Sequence, residues 1–155
     1  NAIYELWPGA TESIAPGAFD ESVTDDVRCL YNHNSDLVLG RTTARTLELR
    51  QDNKGLWGRV QINREDTEAM NAYARINRGD ITGCSFGFDI AAQETEYRED
   101  GTVHWTITKV KPLYEVSPCT FPAYDSARRK DLDELKRKRS EVWKAQALER
   151  LHNKP

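Results

Sequence analysis

Apolar residues recur along the first 127 positions with strand periods far more often than with a helical one. Val27 to Asn32 is short and apolar-rich, Arg45 to Arg50 sets Leu47 and Leu49 on one face, and Leu56 to Asn63 sets Val60 and Ile62 on one face. Asp52-Asn53-Lys54-Gly55 between the last two has the composition of a hairpin turn. Residues 66–78 break the alternation: Ala69, Met70, Tyr73 and Ile76 fall at helical spacing, with Asp66 placed as N-cap and Gly79 as a left-handed stop. A second hairpin is expected from Ile81 to Tyr97 and Val103 to Val116 around Arg98-Glu99-Asp100-Gly101, with Gly83, Gly87 and Pro112 marking bends or bulges. Pro118 and Pro122 then close the sheet. Before the first of these strands, residues 8–26 hold Pro8-Gly9 and Pro16-Gly17 and no sustained period, so an irregular lead-in anchored by Ile14, Ala18 and Phe19 is expected. The pattern predicts an α+β domain: a mostly antiparallel, partly closed sheet with two helices, the second in the tail.

With 155 residues, 38% hydrophobic, the chain has apolar material for one core and too little for two catalytic domains. No apolar run approaches the roughly 18 residues of a membrane span, and Asn1 to Pro8 lacks the basic-then-apolar order of a secretory signal, so no membrane partner and a cytosolic setting are expected. The chain begins with Asn and its one Met is Met70, the pattern of a trimmed or processed product. Cys29, Cys84 and Cys119 are odd in number, widely spaced and without a C-x-x-C pair, which indicates reduced thiols rather than a disulfide framework or a zinc site.

The net charge of −3 hides an asymmetry: residues 128–155 carry ten Lys/Arg against five Asp/Glu, and the body before them is acidic at −8. Domains are therefore drawn as a body, 1–127, and a basic helical tail, 128–155, whose Leu132, Leu135, Val142, Trp143 and Leu151 form an interrupted apolar face. Acidic residues interleave with the basic ones and no aromatic stacking pattern accompanies them, so a solvated helix is favoured over nucleic-acid binding.

Gly83-Cys84-Ser85-Phe86-Gly87 matches the G-x-S-x-G pattern of a nucleophile elbow. The chain is short, no βαβ alternation surrounds the motif, and Phe88 to Tyr97 reads as strand where an elbow needs helix, so an α/β-hydrolase fold is excluded. Glycines beside a serine still let the backbone bend and expose the hydroxyl. The competing reading is a serine in a bulged strand, packed by Phe86 and Phe88. A serine nucleophile needs a base, and imidazole suits because its ordinary pKa near 6.5 leaves it mostly neutral at pH 7. His104 and His152 read as surface residues. His33 lies in a loop directly after an apolar strand, where Asn32, Asn34 and Asp36 either orient the ring or form the turn. For the group that holds the ring, Glu115 is preferred. It stands in a strand that pairs back along the serine segment, and its charge in an apolar stretch needs a partner, either a histidine or an arginine. Asp36 and Asp89 are weaker choices, and Cys84 as a thiol nucleophile ranks well below Ser85. No His pair at i, i+4 and no His/carboxylate cluster supports a metal, and Gly83-x-x-x-Gly87 is too short for a dinucleotide fingerprint, so no metal and no cofactor is expected.

Taken in chain order, these motifs resemble the prohead (capsid maturation) serine proteases of tailed bacteriophages, the HK97-like family. Glu12-Ser13-Ile14-Ala15-Pro16-Gly17-Ala18-Phe19 looks like that family's E-x-I-x-P-G-A-F signature, and Val27 to Gly40, with Asn32-His33-Asn34 and Leu39-Gly40, looks like its histidine loop. The hairpin ending at Gly55-Leu56, then Gly83 to Phe88, then Leu113-Tyr114-Glu115-Val116-Ser117 through Phe121-Pro122-Ala123, follow in the family's order, so the resemblance spans residues 8–127. It implies an assemblin-like fold, shared with herpesvirus capsid proteases: a small β-barrel surrounded by helices. Family members carry a short leading strand before the signature, of which Asn1 to Trp7 supplies part. The resemblance implies Ser85 as nucleophile and His33 as general base, with Glu115 standing where herpesvirus relatives are known for a second histidine. Arg41 and Arg45, after the histidine loop, are further candidates beside the oxyanion. By the same resemblance the substrates and partners are the scaffolding portion of the major capsid protein and the protease itself by autocleavage, with possible assembly into a homo-oligomer, inside the immature capsid in the bacterial host cytoplasm. A non-catalytic capsid assembly factor is the alternative.

Overall fold

The structure, a computed structural model, describes residues 3–122. Its elements are β1 (Ile3–Trp7), β2 (Ala10–Ile14), β3 (Arg28–Tyr31), β4 (Asn34–Arg41), β5 (Leu47–Asp52), β6 (Gly55–Val60), α1 (Thr67–Arg78), β7 (Gly83–Tyr97) and β8 (Val103–Cys119). Strand β8 is the spine. It pairs antiparallel with β7 along nearly its whole length, and on its other edge it carries β2 at its N-terminal half and β3 near its C-terminal end, both parallel. Hairpins add β1 beyond β2 and β4 beyond β3, while β5 and β6 form a separate two-stranded sheet.

This is the expected α+β, mostly antiparallel architecture, with two corrections. The described residues form an open sheet and a hairpin with a single helix, not a closed barrel surrounded by helices. The lead-in is not irregular throughout: Ala10–Ile14 is a strand, because Gly9, at φ 83°, reverses the chain after β1 and lays β2 along β8. Its weak alternation reflects burial on both faces, with Ala10, Glu12 and Ser13 all buried. The expected tail helix, and the boundary at residue 127, lie outside the described residues.

The core lies where the sheet meets β5, β6 and α1. Val27, Ile107, Val110 and Leu113 are completely enclosed, and Phe19 packs edge-on against Phe86, which in turn contacts Phe88. Helix α1 begins and ends as expected: Asp66 accepts from the N–H groups of Glu68 and Ala69, and Gly79, at φ 86°, donates to Ile76 O. Its buried face keeps Ala69 from the expected set and otherwise differs from it. Ala69 and Ala72 are the residues driven into the core, since small side chains permit close approach, whereas Tyr73 and Ile76 remain exposed.

Candidate active site

His33 occupies the tip of the β3–β4 hairpin. Asn32 and His33 both adopt positive φ, 54° and 58°, the geometry of a two-residue turn with the twist that suits a hairpin. Asn is well adapted to such a position. The turn is pinned to the end of β8 twice, by Asn32 N–H donating to Pro118 O at 3.1 Å and by Thr120 N–H donating to Asn32 Oδ1 at 2.8 Å. A histidine 82 residues away in sequence is thereby set over Glu115, and the two side chains meet at 2.6 Å between Nδ1 and Oε1.

A carboxylate only accepts, so Nδ1 carries the proton and the lone pair of the neutral ring lies on Nε2. Both side chains are largely enclosed, at 17% and 14% exposure, which strengthens the contact relative to one in open water. The other carboxylate oxygen, Oε2, accepts from the Ser117 hydroxyl at 2.5 Å. Arg28, the residue beside Glu115 in the β3–β8 register, turns away to Asp26, so the choice between histidine and arginine as partner resolves to His33.

The β7–β8 register sets Ser85 opposite Ser117 and Gly87 opposite Glu115 without a bulge between them. Side chains alternate along a strand, so Ser85, Gly87, Glu115 and Ser117 share one face. Phe86 and Val116 point the other way, into the core. A register shift follows immediately, between Gly87 and Phe88, leaving Tyr114 as the extra residue of β8 next to Glu115. Gly87 is required by contact rather than by backbone conformation: a β-carbon there would stand 2.9 Å from Glu115 Oε1, the oxygen that holds His33. The Ser85 hydroxyl is buried, and among the described residues it is the one enclosed side-chain polar atom without a hydrogen-bond partner. His33 and Ser85 are thus on a common face but not hydrogen-bonded to each other.

The remaining candidates are accounted for elsewhere. Arg41 is committed to Asp26 through two hydrogen bonds of 2.8 and 2.6 Å at the end of the hairpin opposite His33, and Arg45 is an exposed turn residue at φ 58°. Asp36 forms a local turn with Asn34, and Asp89 accepts from Tyr114 OH at 2.6 Å. His104, read as a surface residue, is instead partly buried with its ring nitrogens against the hydroxyls of Thr11 (2.7 Å) and Ser13 (2.9 Å), leaving neither for a carboxylate. The Cys84 thiol is pushed up by desolvation, although the residue is exposed, which disfavours a thiolate nucleophile. Among the described residues no His/Cys/Asp/Glu group could hold a metal ion, and no helix is long and apolar enough to cross a membrane.

A family model described as the caudovirus prohead serine protease matches residues 1–141. The chain belongs to that family. A prohead protease relative, from Enterobacteria phage HK97, is 30% identical over 118 residues, which cover 74% of this chain and 49% of the relative. The chain therefore spans about half the length of that curated relative. No solved structure matches. Within this member of the prohead serine protease family, Ser117 is the site feature that spacing alone does not reveal, and of the two roles open to Asn32 the structure shows the turn, pinned to the end of β8. The hydroxyl that grips Glu115 and the amide that ties the histidine turn to β8 depend on strand register.

An apolar cavity of about 540 Å³ adjoins the site, lined by residues of the sheet, the β5–β6 hairpin and α1. It reaches Cys84, Ser85 and Ser117 but neither His33 nor Glu115, so the His33–Glu115 pair lies outside its lining.

Proposed function

We propose that this chain carries the catalytic site of a capsid-maturation serine endopeptidase, which cleaves the scaffolding part of the major capsid protein, and itself, inside the immature shell. Ser85 is the nucleophile, His33 the general base and Glu115 the group that orients the ring. The observation that carries this reading is the 2.6 Å His33–Glu115 bond on the same sheet face as the one enclosed, unpartnered hydroxyl among the described residues. Family membership supports the same reaction class.

Glu115 keeps the proton on Nδ1, so Nε2 takes the Ser85 proton as Oγ attacks the scissile carbonyl carbon. The imidazolium formed is stabilised by the carboxylate already in place. Collapse of the tetrahedral intermediate expels the amine, which receives the proton from Nε2 and leaves an acyl-Ser85 ester. Water, deprotonated by Nε2, then attacks the ester, and the proton returns to Ser85 as the acid product departs. Ser85 is only 4% exposed, so the hydroxyl must be uncovered locally when a substrate engages; active-site contacts commonly tighten only at that stage.

The test is co-expression of the full-length protein with its capsid protein. Ser85→Ala is expected to leave shells assembled but uncut, with cleavage lower by roughly 10⁶ if the groups act as a unit. Undiminished processing would eliminate the proposal and favour a non-catalytic assembly factor.

A further inference from the structure

We infer that Ser117 is a positioning residue of the site, holding the Glu115 carboxylate so that Oε1 stays on His33. The inference rests on the protease reading above. A glutamate side chain has three rotatable bonds, and a single hydrogen bond to an imidazole does not fix its carboxylate plane. Ser117 supplies the second anchor. It lies two residues beyond Glu115 on the same face of β8, its hydroxyl donates to Oε2 at 2.5 Å, and its side chain is 1% exposed, so bulk water does not compete for the bond. Bonds to an ionised acceptor are the shorter and stronger class. Oε1 is held by His33 on one side, Oε2 by Ser117 on the other, and the missing Gly87 side chain leaves space along the third.

Ser117 is also the cross-strand partner of Ser85. The residue that orients the carboxylate is therefore built into the rung that carries the proposed nucleophile, and a shift of β8 along β7 would disturb both together. Ser117 cannot take the place of Ser85 in the proposed chemistry, because its proton goes to a carboxylate and not to the ring.

The experiment compares Ser117→Ala, Ser117→Thr and Ser85→Ala in the full-length protein, using steady-state cleavage of the capsid protein. Ser117→Ala is expected to lower kcat about 10- to 100-fold with KM within about twofold of the parent, the split for an orientation lost in the transition state rather than in binding. Ser117→Thr retains the hydroxyl and is expected to recover most of the rate. Because Ser117 is enclosed and threonine adds a methyl, ¹⁵N-histidine NMR of Ser117→Ala provides an independent reading. His33, assigned with His33→Gln, should change from a single Nδ1–H tautomer to a mixture of tautomers. An unchanged kcat, a loss confined to KM, or a pure Nδ1–H tautomer in Ser117→Ala overturns the inference. Activity in Ser85→Ala would instead overturn the protease reading itself.

Discussion

Replacing Gly87 by alanine tests the geometry of the site with a single carbon. Gly87 is in an extended strand without positive φ, so alanine is not strained by its own backbone and the change acts through what the methyl touches. The new carbon would lie 2.9 Å from Glu115 Oε1 and 3.2 Å from its Cγ. Reaching an ordinary separation of about 3.4 Å displaces the carboxylate by roughly 0.5 Å. That is comparable to the whole range, about 2.7 to 3.2 Å, over which such a hydrogen bond remains good. The contact at stake is the 2.6 Å bond to His33. Overpacking of this kind costs about 1 to 3 kcal/mol in stability, and a misplaced catalytic group costs up to about 100-fold in rate. Gly87→Ala should therefore still fold, with a melting temperature a few degrees lower, while acylation of Ser85 slows about 10- to 100-fold. Single-turnover acylation measures the rate and calorimetry the stability. A double-mutant cycle with Glu115→Gln identifies the route: in the Glu115→Gln background the alanine should add little, since its target is already impaired. Full activity in Gly87→Ala, or losses that simply multiply in the double variant, would refute the reasoning.

Three other outcomes follow from the structure. Glu115→Gln permits an amide N–H to face Nδ1 and so the wrong ring tautomer; kcat should fall on the order of 10² to 10⁴, measured by steady-state cleavage, with little change in stability. Asn32→Ala removes the Thr120 anchor and leaves at φ 54° a residue without the polar side chain that suits asparagine to the left-handed region, costing about 2 kcal/mol in denaturant unfolding, while Asn32→Gly should recover part of that cost. Burial, reinforced by the neighbouring Cys84 and Glu115, pushes the Cys29 thiol up to about 12. The unfolded chain gives up that proton near pH 8.5 while the folded chain keeps it, so stability should decline as pH rises above about 8.5, and Cys29→Ala should flatten that decline in urea titrations. A decline identical in Cys29→Ala would assign it to other groups.

Strands β3, β7 and β8 were legible because each obeys a simple local code, whereas β4, the second arm of the His33 hairpin, was read as loop. The β5–β6 turn, the Asp66 cap and the Gly79 stop all appear where their residue types place them. The Glu115–His33 partnership was also foreseeable, since a carboxylate in an apolar strand requires a compensating group and β8 was expected to fold back along Ser85. Register was not foreseeable. That Ser117 stands opposite Ser85, that Gly87 must yield to Glu115, and that Arg41 is consumed by Asp26 all depend on which residue faces which across strands far apart in sequence. The same blindness explains β2, whose alternation fails because both faces are covered, and His104, which is enclosed by hydroxyls from a strand 91 residues earlier. The barrel implied by the resemblance is not completed among residues 3–122, where β5 and β6 stay paired only with each other.

The most direct test is covalent labelling by a small phosphonofluoridate followed by peptide mass spectrometry, on the parent protein and on His33→Ala. The account predicts one adduct, on Ser85, in the parent, and a labelling rate lower by at least about 10³ in His33→Ala, since the hydroxyl is then without a base. An adduct on another serine, or labelling of Ser85 that is indifferent to the loss of His33, would contradict it.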